Sequence, residues 1–91
     1  MSVKIVIPSP LQQYAEDREE VQGEGGTVDA ALDSLVTQYP QIKKHLFTED
    51  GKIRNFVNVY VNDDDIRFLD KLDTKLTSGD TISILPAVAG G

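Results

Sequence analysis

The residues with the clearest chemical potential stand at the end of the chain, in Leu85-Pro86-Ala87-Val88-Ala89-Gly90-Gly91. No side chain there is charged or nucleophilic, so the group expected to react is the α-carboxylate of Gly91 itself. A glycine pair inside a chain usually makes a turn, but at a terminus there is no turn to make. The alternative explanation is steric. Without Cβ atoms, a partner's walls can close on both faces of the backbone and grip the carboxylate. The six residues from Pro86, extended at about 3.3 Å each, would carry that group on the order of 20 Å from the domain. A domain over 1–85 with a flexible tail over 86–91 is therefore expected. Pro86, Ala87, Val88, Ala89 and Gly90 would be what a partner recognises, and Gly91 what it modifies. A frayed terminus is the competing explanation, since many domains end in one.

Nothing else in the chain offers catalysis. Cysteine is absent, which removes thiolate nucleophiles, disulfides and cysteinyl iron–sulfur ligands. His45 is the single histidine, beside Lys43 and Lys44 with no serine or carboxylate pattern around it, and is expected on the surface. Gly23-Glu24-Gly25-Gly26 lacks the Lys-Ser/Thr that closes a phosphate-binding loop, so a plain loop is expected. Asn62-Asp63-Asp64-Asp65 gathers hard oxygen donors, yet neighbouring aspartates in a turn point in different directions. No bidentate glutamate follows at EF-hand spacing, so a solvated turn is expected and no metal. Without a nucleophile–base pair the chain is expected not to be an enzyme.

The elements that must hold the terminus follow from periodicity. Val3, Ile5 and Ile7 predict a first strand closed by Pro8-Ser9-Pro10. A weak second strand is expected around 18–22, hairpin-paired to the first. Thr27 is a good N-cap, and Val28, Ala31, Leu32, Leu35, Val36 and Tyr39 recur at helical spacing until Pro40. Ile42, Leu46 and Phe47 suggest a further helical turn, and Glu49-Asp50-Gly51 a reversal. Residues 54–62 read as the central strand, with Val57, Val59 and Val61 facing the helix. Phe56 and Tyr60 are left on the outside, flanking Asn58. Two outward aromatics suit a docking patch, with packing beneath a loop as the alternative. Ile66-Arg67-Phe68 is expected as a short edge strand, and Leu69, Leu72 and Leu76 as core. Ser78-Gly79-Asp80 turns the chain into a last strand, where Ile82 and Ile84 alternate with Thr81 and Ser83 and Pro86 stops the ladder. Leu85 falls on the face opposite Ile82 and Ile84, so it should emerge beside the aromatics. Strands, a crossing helix, then more strands give an α+β fold of the β-grasp kind, a mixed sheet wrapped over one main helix.

At 91 residues this is one small domain, and its formal net charge of −6 disfavours nucleic acid and anionic membranes, which need a basic field. No apolar run approaches a membrane span, and Met1-Ser2-Val3-Lys4 opens into a strand pattern instead of a signal peptide. The expected address is the cytoplasm.

Three stretches together resemble a known family: Phe56-Val57-Asn58-Val59-Tyr60-Val61-Asn62, the Ser78-Gly79-Asp80 turn, and the tail from Leu85 to Gly91. They are similar to the ubiquitin-like sulfur-carrier proteins, which include the small subunit of molybdopterin synthase and the thiamin sulfur carrier. The central strand with its run into Asp63-Asp64-Asp65-Ile66-Arg67-Phe68, and the tail, most resemble the carrier of an actinobacterial cysteine-synthesis route. The resemblance implies an activating enzyme of the E1 type that uses ATP to adenylate the Gly91 carboxylate. Sulfur then replaces AMP, and the thiocarboxylate serves a second enzyme, such as a pyridoxal-phosphate-dependent cysteine synthase. The chain itself would bind no cofactor. Docking would use Phe56, Tyr60 and Leu85. A molybdopterin synthase subunit and a protein modifier that forms isopeptide bonds remain alternatives, as does a plain β-grasp binding module. An electron-transfer ferredoxin is excluded by the missing cysteines.

Overall fold

Strand β1 (Ser2–Val6) alternates as its sequence demands, with Val3 and Ile5 buried and Lys4 exposed. The computed structural model describes residues 2–55 and 57–86. Pro8-Ser9-Pro10 does more than end β1. It starts a single helical turn, α1 (Ser9–Gln12), because a proline at the first helical positions loses no hydrogen bond there. Strand β2 (Glu20–Glu24) returns antiparallel to β1, with Val21 opposite Ile5 and Gly23 opposite Val3. It lies two residues later than the sequence suggests, and Gly23-Glu24 belongs to the ladder instead of a loop. The reason is close packing. A Cβ on Gly23 would sit 2.5 Å from Ile5 Cδ1 and 3.3 Å from the Ala31 carbonyl oxygen, so only glycine lets the strand run there.

Helix α2 (Val28–Gln38) begins where Thr27 Oγ1 accepts the Ala30 N–H at 3.1 Å, with Asp29 in its first turn. Its buried face is Val28, Ala31, Leu32, Leu35 and Val36. Beyond it a 3-10 turn at Pro40–Ile42, which buries Ile42, leads into α3 (Lys43–Leu46), which buries Leu46. Three further strands complete the sheet: β3 (Val57–Val61), β4 (Asp64–Asp65) and β5 (Thr81–Pro86). The order is β2-β1-β5-β3-β4, with β1 and β5 parallel at the centre and the other pairs antiparallel. Ile5, Ile82, Ile84 and Val59 face the helix and close the core with Leu32 and Leu35. First and last strands paired in parallel around a crossing helix make this a β-grasp fold. Among the described residues, no helix is long and apolar enough to cross a membrane.

The segment between β3 and β5 departs most from expectation. Residues 66–68 form a 3-10 turn rather than an edge strand, because the Asp65 carboxylate accepts the Arg67 N–H at 2.9 Å and curls the chain. Asp65 itself is buried, not solvated. Leu76 is core and Leu72 half-buried, but Leu69 is 40% exposed, carried outward by the same curl. Pro86 stays in β5, opposite Val57, since proline lacks only the ladder's donor and keeps its carbonyl.

Candidate interaction surface beside the terminus

Pairing of β3 with β5 sets Asn58 opposite Leu85 and Tyr60 opposite Ser83. Since opposite residues share a face and successive ones alternate, Asn58, Tyr60, Ser83 and Leu85 all point away from α2. Their inward neighbours Val57, Val59, Val61, Ile82 and Ile84 are buried. Leu85 is 48% exposed and Tyr60 half-buried, and the two lie on a diagonal about 7–8 Å apart by sheet geometry. Two of the three expected anchors are thus brought together on an accessible face. The third, Phe56, lies outside the described residues, as do Ala87, Val88, Ala89, Gly90 and Gly91. Pro86, first of the expected recognition residues, is the last residue of β5.

One functional candidate has no counterpart in the sequence reading. Arg67 is clamped against the same face: its Nη2 donates to Asp65 Oδ2 at 2.7 Å and to Asn58 Oδ1 at 2.9 Å. Its Nε reaches both Asp65 oxygens at 3.2 Å. These side-chain bonds, and then the Arg67 backbone N–H, hold the Asp65 carboxyl below its ordinary range, while the same pair holds the guanidinium above its own. Asn58 therefore stands between an exposed leucine on one side and a fixed cation on the other. Phe68, next in the turn, is 86% exposed. The signal was present as Asp65-Ile66-Arg67, an aspartate two residues before a cation, which matches an Asx turn.

A second clamp fixes where β5 begins. Asn62 Nδ2 donates to Asp80 Oδ1 and its Oδ1 accepts the Thr81 N–H, both at 3.2 Å. Asp80 Oδ2 accepts the Thr77 N–H at 2.9 Å, and this bond, with that from Asn62, lowers its pKa. His45 is half-buried rather than on the surface. Its ring stacks on Tyr14 with centroids 4.8 Å apart, and Nε2 is buried without a hydrogen-bond partner. Among the described residues no three histidine or acidic side chains gather as a metal site.

This arrangement offers no machinery for bond making within the described residues. It offers an accessible face, with Tyr60 and Leu85 on it, beside the end of β5. A model of the ThiS family matches residues 5–91. The chain belongs to the ThiS family. Sulfur carrier protein CysO of Mycobacterium tuberculosis is 40% identical over 93 residues, covering all of both chains. Small archaeal modifier protein 3 of Haloferax volcanii is 40% identical over 65 residues, 71% of this chain and 70% of that one. Among solved structures, a chain of the Amycolatopsis orientalis BexX/CysO complex superposes with a TM-score of 0.90 at 40% identity, covering 98% of this chain and 99% of that one. The ThiS-family match reaches through the glycine pair to Gly91.

Proposed function

We propose that this chain is a sulfur carrier whose working group is the Gly91 carboxylate. An ATP-dependent activating enzyme docks on the outer face and forms the acyl-adenylate, releasing pyrophosphate. A sulfur nucleophile displaces AMP and leaves a thiocarboxylate. Its sulfur is softer than oxygen and ionised at neutral pH, so it attacks an electrophilic acceptor. An aminoacrylate held on a pyridoxal-phosphate enzyme of cysteine synthesis is the acceptor this reading favours. The chain brings no catalytic group and no cofactor of its own; ATP, metal and acceptor belong to its partners. The cytoplasm is the compartment the reading assigns.

The single observation that supports it best is the family match running to Gly91, together with full-length similarity to mycobacterial sulfur carriers. A relative found in complex with BexX supports the expectation of a protein partner. Similarity to the Haloferax modifier favours a second reading, conjugation of the same carboxylate to lysine. ATP–pyrophosphate exchange with the cognate activating enzyme is the test. Exchange that needs the full chain and disappears when Gly91 is deleted supports adenylation at this carboxylate. Exchange that survives the deletion rules it out. Lysine-linked adducts in cells would select the modifier reading.

A further inference from the structure

Under the β3–β4 edge lies a groove of about 460 Å³, between residues 52–55 and the 3-10 turns at 66–68 and 71–73. Its floor is apolar, with Val57, Val59, Ile66 and Leu72. Its rim carries Lys52, Arg54, Arg67 and Lys71, four of the chain's nine basic side chains, and among the described residues the one acid lining it is the buried Asp65. Asp65 is committed to Arg67, and Arg54 Nε donates to the Lys44 carbonyl oxygen at 2.7 Å. Lys52 and Lys71 have no ion-pair partner among the described residues. A concentration of positive charge around an apolar floor stands out on a chain of formal net charge −6.

We propose that this groove is a docking site for an acidic segment of a partner protein, one that sets an aliphatic side chain on the floor and carboxylates on the rim. The local field is complementary to such a segment. The chain's overall negative charge, by contrast, repels extended polyanions such as nucleic acid, so a short stretch with a few carboxylates is the better match. A nucleotide fits less well, since among the described residues no glycine lines the groove to bring backbone N–H groups onto phosphates. The site is distinct from the outer face. Arg67 joins the two, with its guanidinium on Asn58 outside and its side chain along the groove wall.

The test uses the full chain labelled with nitrogen-15 and an acetylated, amidated peptide of alternating glutamate and leucine. Saturable amide shifts are expected at residues 52–55 and 66–72. The double variant Lys52→Glu, Lys71→Glu should weaken binding roughly tenfold, two rim charges being reversed. Lys4→Glu, on β1 with β5 intervening before β3, should leave it unchanged. Replacing leucine with serine in the peptide should abolish the shifts. Each of three results would overturn the proposal: no saturable shift at these residues, shifts indifferent to the Lys52 and Lys71 reversal, or the same shifts produced by ATP and not by the peptide.

Discussion

Tyr60 and Leu85 stand diagonally on the outer face, one half-buried and the other 48% exposed. Each exposes apolar surface that the monomer leaves uncovered, and truncating an interface anchor commonly costs about 2 kcal/mol of binding, roughly thirtyfold. Tyr60→Ala and Leu85→Ala should each lower affinity for the activating enzyme by about that factor, with native amide spectra retained. Unchanged affinity in both would remove this face from docking. Asp65 makes a different prediction, about stability. Its folded pKa lies below the ordinary carboxylate value, so its stabilising contribution is present above the unfolded pKa and lost as pH falls through the folded one. Urea midpoints should decline on acidification below about pH 4, and Asp65→Ala should flatten that acid limb. At neutral pH the same change should cost about 1 kcal/mol, the usual worth of a helix cap. An acid limb of the same steepness in the variant would assign the decline to other carboxylates.

Among the elements, β2 depends on two glycines that keep it close to α2. At Gly25, with φ of +150°, a Cβ would lie 2.6 Å from Ala30 Cβ and 2.9 Å from backbone atoms of Ala30 and Ala31. Backbone cannot yield as a side-chain tip can. At Gly23 the nearest atom is the end of Ile5, though inside a filled core. Overpacking of this kind costs about 1–3 kcal/mol, so Gly23→Ala should destabilise within that range and Gly25→Ala by more. Equal denaturation midpoints for Gly25→Ala and the parent would refute the close approach. The same glycines show where the sequence was hard to read. α2, β3 and β5 were legible because five buried apolar residues in α2, an unbroken valine alternation in β3, and Ile82 and Ile84 alternating with Thr81 and Ser83 in β5 each fix a period. β2 has Val21 alone on its inward side apart from Gly23, so nothing local fixed its ends. A glycine cluster looks like a loop until the helix packed above it is seen. Likewise Ile66-Arg67-Phe68 has strand-like composition, and only the Asp65 carboxylate on the Arg67 N–H turns it into a 3-10 turn. The outward set at Tyr60 and Leu85 could be inferred from alternation. The bond from Arg67 to Asn58 could not, because it joins residues nine positions apart through a change of strand.

For the molecule as a whole, the proposed carrier function gives the fold one task, to present the end of the chain. Parallel pairing of β5 with β1 at the sheet centre, the Asn62–Asp80 clamp at its start and antiparallel pairing with β3 to Pro86 fix where residues 87–91 begin. If Gly91 carries the sulfur, reach becomes decisive, because misplacement of a reacting atom by about 1 Å can cost about a hundredfold. One residue added after Gly91, or a bulky residue at Gly90, should therefore abolish sulfur transfer while leaving the domain's stability unchanged. The most direct measurement is the intact mass of the chain after incubation with its activating enzyme, ATP and a sulfur source. The expected result is a gain equal to exchange of one oxygen for one sulfur, absent when Gly91 is deleted. A chain that never gains that mass, with the enzyme shown to be active, would contradict the carrier function.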